Sequence, residues 1–215
     1  MPVFWMLVGL GVAYLLGSVP TGYWIARAAK GIDIRQFGSG NIGSSNVGRV
    51  LGRPWGITVL ILDILKGTLA VILGQKIFFD VAGPFSLDAY KILCAAMAVC
   101  GHNWTVFLWF RGGKGVATSA GALLGLSPLL LLLTAAIWGI VARISGYISV
   151  ASMAAGIGFC ALTFVVRTSL EMKIFGLVMT AMLIFRHREN LRRLAQGREP
   201  KMGQGDPGKI SDAVR

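Results

Sequence analysis

Charge is scarce in this chain: Asp, Glu, Lys and Arg make up only 14% of its 215 residues. A soluble domain of that length carries about 25% charged residues. Hydrophobic residues account for 55%, mean hydropathy is +0.69, and the apolar residues lie in long blocks, which excludes a soluble core and points to a polytopic membrane protein. Cysteine is limited to Cys94, Cys100 and Cys160, an odd number within apolar stretches and without metal-ligand spacing, so they read as small buried hydrophobes. No metal and no cofactor is expected. The N-terminus lacks a basic region before its apolar run, so the first block reads as a retained helix and not a cleaved signal peptide. Conventional catalytic patterns are missing too: there is no H-E-x-x-H, no G-x-S-x-G, and neither His102 nor His187 begins an H-x-x-x-x-D.

What is present begins with the blocks, which run Val3–Ala28, Trp55–Phe79, Ala89–Phe110, Val116–Val141, Gly146–Val166 and Ile174–Phe185. The fourth decides the topology. As one helix its 26 residues cross the bilayer once; as two short, tilted helices it breaks at Ser127-Pro128, because proline disfavours helix at the residue before it. With the break the chain is an all-α protein of seven transmembrane helices, N-terminus outside and C-terminus cytoplasmic. Sixteen Lys and Arg then lie inside against four outside, Lys76, Lys91, Arg167 and Lys173. A single helix gives eleven against nine, so the positive-inside rule favours seven crossings. Residues 1–203 form a single transmembrane domain, and 204–215 read as a polar, disordered tail. The net charge of +12 is thus a matter of topology, and no nucleic acid is expected as a partner. Ala117, Gly121 and Gly125, four apart, read as a packing stripe.

The seven-helix reading gathers four polar segments on the cytoplasmic side. The first, Gly38 to Arg49, reads GSGNIGSSNVGR. Its G-x-G-x-x-G lacks the strand and βαβ unit of a dinucleotide site, but glycines allow successive N–H groups to converge on an anion. Ser39, Asn41, Ser44, Ser45 and Asn46 add neutral donors and Arg49 a bidentate cation. Composition fits a flexible polar loop equally well. The second segment contains Gly112-Gly113-Lys114-Gly115 ahead of a new helix, a setting for a phosphate at a helix N-terminus or for an interfacial turn anchored to headgroups. It lacks the leading glycine and the Ser or Thr of a P-loop. The third offers Arg143, Ser145, Ser149 and Ser152. The fourth places His187 and Asn190 one helical turn apart, while Arg192, Arg193 and Arg198 read as a headgroup-binding stretch. Asp63 and Lys66, within the second block, read as an intramembrane ion pair that helps to seat the cytoplasmic site; His102, near the end of an apolar block, suits a buried hydrogen-bonding role.

Taken together the segments resemble the bacterial acyl-phosphate-dependent glycerol-3-phosphate acyltransferases. The likeness is carried by KGIDIRQFGSGNIGSSNVGR (Lys30–Arg49), DILKG (Asp63–Gly67), Gly101-His102 with FRGGKGVATS (Phe110–Ser119), and RHRENLRRLAQGREPK (Arg186–Lys201), over nearly the whole chain. Two positions depart: Ser44-Ser45 stand where the family commonly has Ala-Thr, and Thr105 where it usually has proline. The resemblance implies seven helices in the bacterial cytoplasmic membrane, a site facing the cytoplasm, and acyl transfer from acyl phosphate to the 1-hydroxyl of sn-glycerol 3-phosphate, giving lysophosphatidic acid and phosphate. Implied partners are those two substrates, membrane lipids, and contact with the enzyme that makes acyl phosphate. Ser39, Arg49, Lys114, His187 and Asn190 become the catalytic candidates. Gly38, Gly40, Asn41, Ser45, Asn46, Gly112, Gly113, Gly115, Ser149 and Ser152 become the phosphate-binding set, supported by Asp63, Lys66 and His102. No base is evident, which suggests that the donor's phosphate accepts the hydroxyl proton. An organic-phosphate transporter or channel would want the same cations but also a polar pathway and inverted repeats; the sequence has no repeat. A non-enzymatic scaffold would leave the glycine-lysine segment unexplained.

Overall fold

The computed structural model describes residues 2–78, 86–166 and 168–204, and these are helical without a strand. In chain order the helices are α1 (Pro2–Ser18), α2 (Thr21–Lys30), α3 (Ser44–Leu51), α4 (Arg53–Phe78), α5 (Leu87–Asn103), α6 (Val116–Leu126), α7 (Pro128–Ser145), α8 (Ile148–Val165), α9 (Leu170–Arg186) and α10 (Arg188–Ala195). Five stretches are long and apolar enough to cross a membrane: Val3–Lys30, Arg53–Gly74, Leu87–Leu108, Pro128–Ser145 and Ile148–Val165. The tail beyond Gln204 and Arg167 lie outside the described residues.

The expected break at Ser127-Pro128 is present. Ser127 is extended, its hydroxyl accepts the Leu130 N–H, and Pro128 opens α7 where its missing N–H leaves no bond unmade. The expected pair of half-length helices is not. α6 has 11 residues and α7 has 18, so only α7 approaches the length of a full crossing. Each also has its own neighbour, α6 packing chiefly on α4 and α7 on α8. In the Ala117, Gly121 and Gly125 stripe, Gly121 lets α6 and α4 touch: a Cβ there would sit 1.9 Å from the Ile64 carbonyl oxygen.

A second break is absent from the sequence reading, which treats Val3–Ala28 as continuous. The chain leaves helix at Val19-Pro20 and restarts at Thr21. The physical reason is again the proline, and in a membrane the freed backbone groups need partners. They have them. Lys66 Nζ donates to the Val19 carbonyl at 2.8 Å, the Thr105 hydroxyl donates to the Ser18 carbonyl at 2.5 Å, and the Thr21 hydroxyl donates to Asp63 Oδ1 at 2.7 Å. The intramembrane ion pair and the threonine in place of the family's proline both serve this joint.

One apolar cluster, including Val71, Val99, Leu123, Leu130, Phe159 and Phe175, joins α4 through α9. Another, with Ala13, Ala70, Tyr90, Cys94 and Ala98, seals α1 against α4 and α5. Cys94 is wholly buried there, as expected of a small hydrophobe, and all three thiols are free. A third cluster, Ala26, Ile34, Ile42, Val47, Val50, Val59 and Leu108, underlies the first polar loop and holds it against α2 and α4.

Candidate functional site

The glycine loop before α3 is ordered by one buried side chain. Asn46, only 1% exposed, accepts the Ser39 N–H on Oδ1 at 2.8 Å and donates from Nδ2 to the carbonyls of Phe37 and Asn41. Gly38 has φ of +57° and its absent Cβ leaves room for Asn46 Oδ1, which would otherwise be 2.3 Å away. Gly40 donates its N–H to Phe37, and Gly43 to the Asn41 side chain. The N–H groups of Ser39, Gly40 and Gly43 are therefore bonded within the loop, and Asn41 and Asn46 hold its shape. The loop presents Ser39 and, at the unbonded first turn of α3, Ser44 and Ser45. Arg49, one turn into α3, donates to Ser39 Oγ at 3.3 Å. Arg35 is turned away, paired with Asp33 at 2.7 Å and stacked over Tyr23.

The second loop departs from expectation in the same manner. Gly112 and Gly113 donate to the carbonyls of Asn103 and His102 at the end of α5, so their N–H groups are occupied. Their carbonyls point the other way and receive the Arg186 guanidinium at 2.5–3.0 Å, with that arginine also over the Trp104 ring. Gly115, at φ of +79°, is the N-cap of α6 without a side-chain cap, which leaves that helix start open. The clamped turn delivers Lys114, whose ammonium donates to Asn190 Oδ1.

Around Lys114 the third and fourth segments close. Asn190 Nδ2 donates to Glu199 Oε1 at 2.6 Å, and Arg193 pairs with Glu199 at 2.8 Å. Burial opposes ionisation of Glu199, but Ser149, Asn190 and Arg193 beside it prevail and keep its carboxyl below the usual range. Burial, then Arg193, with Arg49 and Arg186, pushes Lys114 down to about 8 against the partial relief of Glu199. His187 is 3% exposed; its burial and then Lys114 hold it at about 4, a neutral imidazole. Nδ1 lies 2.8 Å from the Leu183 carbonyl and can only donate to it, so Nε2 is the acceptor.

Lys114, Asn190, His187, Arg49, Ser39 and Ser149 are thus brought to one place. Ser152 is not: it donates to the Ile148 carbonyl and accepts from Trp138 Nε1 within the helix layer. The sequence reading omits Arg186 and Glu199 and assigns Arg193 to headgroups. The one signal available was Glu199, which with Glu189 is one of two acids in a strongly basic segment. Lys114 with Arg49, Arg186 and Arg193 around it, and Glu199 paired to Arg193, beside two helix starts without a side-chain cap, is a setting chemically suited to a phosphorylated ligand.

Comparison with known proteins agrees with this chemistry. A family model described as glycerol-3-phosphate acyltransferase matches residues 7–197. A glycerol-3-phosphate acyltransferase of Desulforudis audaxviator is 41% identical over 91% of this chain and 95% of its own. Glycerol-3-phosphate acyltransferase 2 of Moorella thermoacetica is 45% identical over 92% and 98%. Among solved structures, PlsY (YgiH), an integral membrane glycerol 3-phosphate acyltransferase, matches in its glycerol 3-phosphate form with a TM-score of 0.83 and 38% identity, covering 92% of this chain and 96% of that one. Its lysophosphatidic acid form matches with a TM-score of 0.80 and 37% identity, covering 92% and 95%. With a family match across most of the chain and relatives well above 30% identity, the chain belongs to the glycerol-3-phosphate acyltransferase family and is an acyltransferase.

Proposed function

We propose that this protein transfers a fatty acyl group from acyl phosphate to the 1-hydroxyl of sn-glycerol 3-phosphate. The hydroxyl oxygen attacks the acyl carbonyl carbon, the bond from that carbon to the phosphate oxygen breaks, and lysophosphatidic acid and orthophosphate leave. The observation that carries the reading is the convergence of Arg49, Arg186, Arg193 and Asn190 on a half-buried Lys114. Two substrate phosphates repel by about 4 kcal/mol per pair of unit charges at 4 Å near a protein surface, so each needs a cation of its own. Lys114 with the α6 start would hold one phosphate, and Arg49 with Ser39 and the α3 start the other. His187 Nε2 and Asn190 would orient the attacking hydroxyl. Fixing both reactants contributes up to about 7–11 kcal/mol in the best model reactions. The proton would pass to an oxygen of the departing phosphate, since the neutral His187 at about 4 is a weak base.

Seven crossings complete the proposal, counting the bent α1–α2 stretch, the other four long stretches, α6 and α9. The N-terminus lies outside, and the site faces the cytoplasm of the bacterial inner membrane. There the lipid tail stays in bilayer, both head groups meet the polar loops, and the enzyme that makes acyl phosphate can approach. Purified protein in detergent should release phosphate from acyl phosphate only when glycerol 3-phosphate is present. Release that ignores glycerol 3-phosphate, or none at all, would remove this reading and return the transporter to contention.

A further inference from the structure

The turn that carries Lys114 stands on a polar chain inside the membrane. Gly113 gives its N–H to the His102 carbonyl, and a Cβ on Gly113 would lie 2.1 Å from His102 Nε2, so the imidazole is seated directly against this backbone. The other ring nitrogen, Nδ1, is 2.9 Å from Lys66 Nζ. An ammonium only donates, so Nδ1 accepts and Nε2 keeps the hydrogen. Lys66 directs its two remaining donors to the Val19 carbonyl and to Asp63 Oδ1, both at 2.8 Å. Thr21 donates to that same carboxylate oxygen. Asp63, Lys66 and His102 are 1%, 6% and 4% exposed. The contacts run unbroken from the joint between α1 and α2, through α4 and the end of α5, to Gly113 and hence to Lys114.

An isolated cap for a helix break needs a donor for Val19, and a neutral side chain could supply it. A buried ion pair is an expensive way to do so, and its reach to the ring beneath Gly113 gives it a second task. We propose that Lys66 and His102 are positioning residues for acyl transfer, with Asp63 holding them and the α1–α2 joint in one frame that fixes where the Lys114 ammonium stands. This rests on the acyl-transfer reading above.

The readout is the alkaline limb of kcat/KM for glycerol 3-phosphate, measured on the purified full chain in detergent with acyl phosphate. Lys114 faces Arg49 of α3, Arg186 of α9, His187 after it, Arg193 of α10 and Glu199 beyond, and in this setting it titrates at about 8. An ammonium displaced from the setting returns towards 10.5. Both His102→Ala and Lys66→Met should move the limb up by about one pH unit or more, which loss of folded protein alone would not do. If one variant does not purify as a single species, the other carries the same measurement. In a second arm, Gly113→Ala should lower kcat/KM about a hundredfold in the wild-type background, as expected for a displacement of about 1 Å. In the His102→Ala background, where the methyl has room, the further loss should be under about threefold. Wild-type protein without glycerol 3-phosphate-dependent turnover would overturn the acyl-transfer reading itself. Active wild type with an unmoved limb in a well-folded variant, or equal Gly113→Ala losses in both backgrounds, would overturn the positioning role alone.

Discussion

Lys114, on a turn, and Arg49, in α3, meet the same cluster, and their geometry makes distinct demands. Lys114 is a half-buried point charge whose ammonium is aimed at Asn190. Lys114→Ala should lower kcat/KM for glycerol 3-phosphate by about a hundredfold or more, as loss of a preorganised charge partner does. Arg49 faces Ser39 with a planar fork, so Arg49→Lys should lose about tenfold or more although the charge remains. Near-normal kinetics in both folded variants would send the phosphate site elsewhere. His187 poses the question of the proton. Its imidazole, held at about 4, gains a proton only as pH falls through that value, so it stays neutral between about pH 5 and 9. An acidic limb in that range reports the substrate phosphates, whose second ionisation lies near 6. His187→Gln should therefore retain measurable single-turnover activity and the same acidic limb, the amide replacing a neutral hydrogen-bonding group. Loss of the limb together with a rate drop of about a thousandfold would make His187 the general base.

At the scale of the helices, the topology follows from two prolines that the sequence treats unequally. Ser127-Pro128 is legible because the distribution of Lys and Arg favours a break there. Val19-Pro20 carries the same local signal in a block of the same length, but there the charge count asks for no second crossing. The groups that satisfy this break come from Asp63, Lys66 and Thr105, far along the chain. The same distance hides the roles of Arg186 and Arg193. Within the sequence they are two cations among many in a basic stretch, and only packing brings them to Gly112, Gly113 and Glu199. The polar glycine loops were legible as candidates, but the engagement of the Ser39, Gly112 and Gly113 N–H groups was not, because Asn46 and the end of α5 claim them. The seven-crossing arrangement is checked with single cysteines in a cysteine-free background. Replacements at Ser45 and Gly203 should react only from the cytoplasm, and one at Ser86 only from outside. Labelling of Ser45 and Gly203 from opposite sides would eliminate it.

For the molecule as a whole, donor choice tests the chemistry most directly. The chain lacks the H-x-x-x-x-D pattern and instead gathers Arg49, Arg186 and Arg193 around Lys114. Acyl phosphate should support turnover, whereas acyl-coenzyme A and acyl carrier protein should not do so directly; comparable rates with the thioesters would overturn the donor assignment. The one-residue joint at Ser127 has a further consequence. Before it, α1, α4, α5 and α6 pack closely among themselves; after it, α7, α8 and α9 pack in series, with α9 returning to α5. Lys114 belongs to the first set, while Asn190, Arg193 and Glu199 follow the second. During synthesis the early helices have their mutual contacts available while Lys114 still lacks its companions. The cluster around Lys114 is therefore complete only when residues 186–199 arrive, and a half-made chain in the membrane holds Lys114 and Arg49 without Asn190, Arg193 and Glu199.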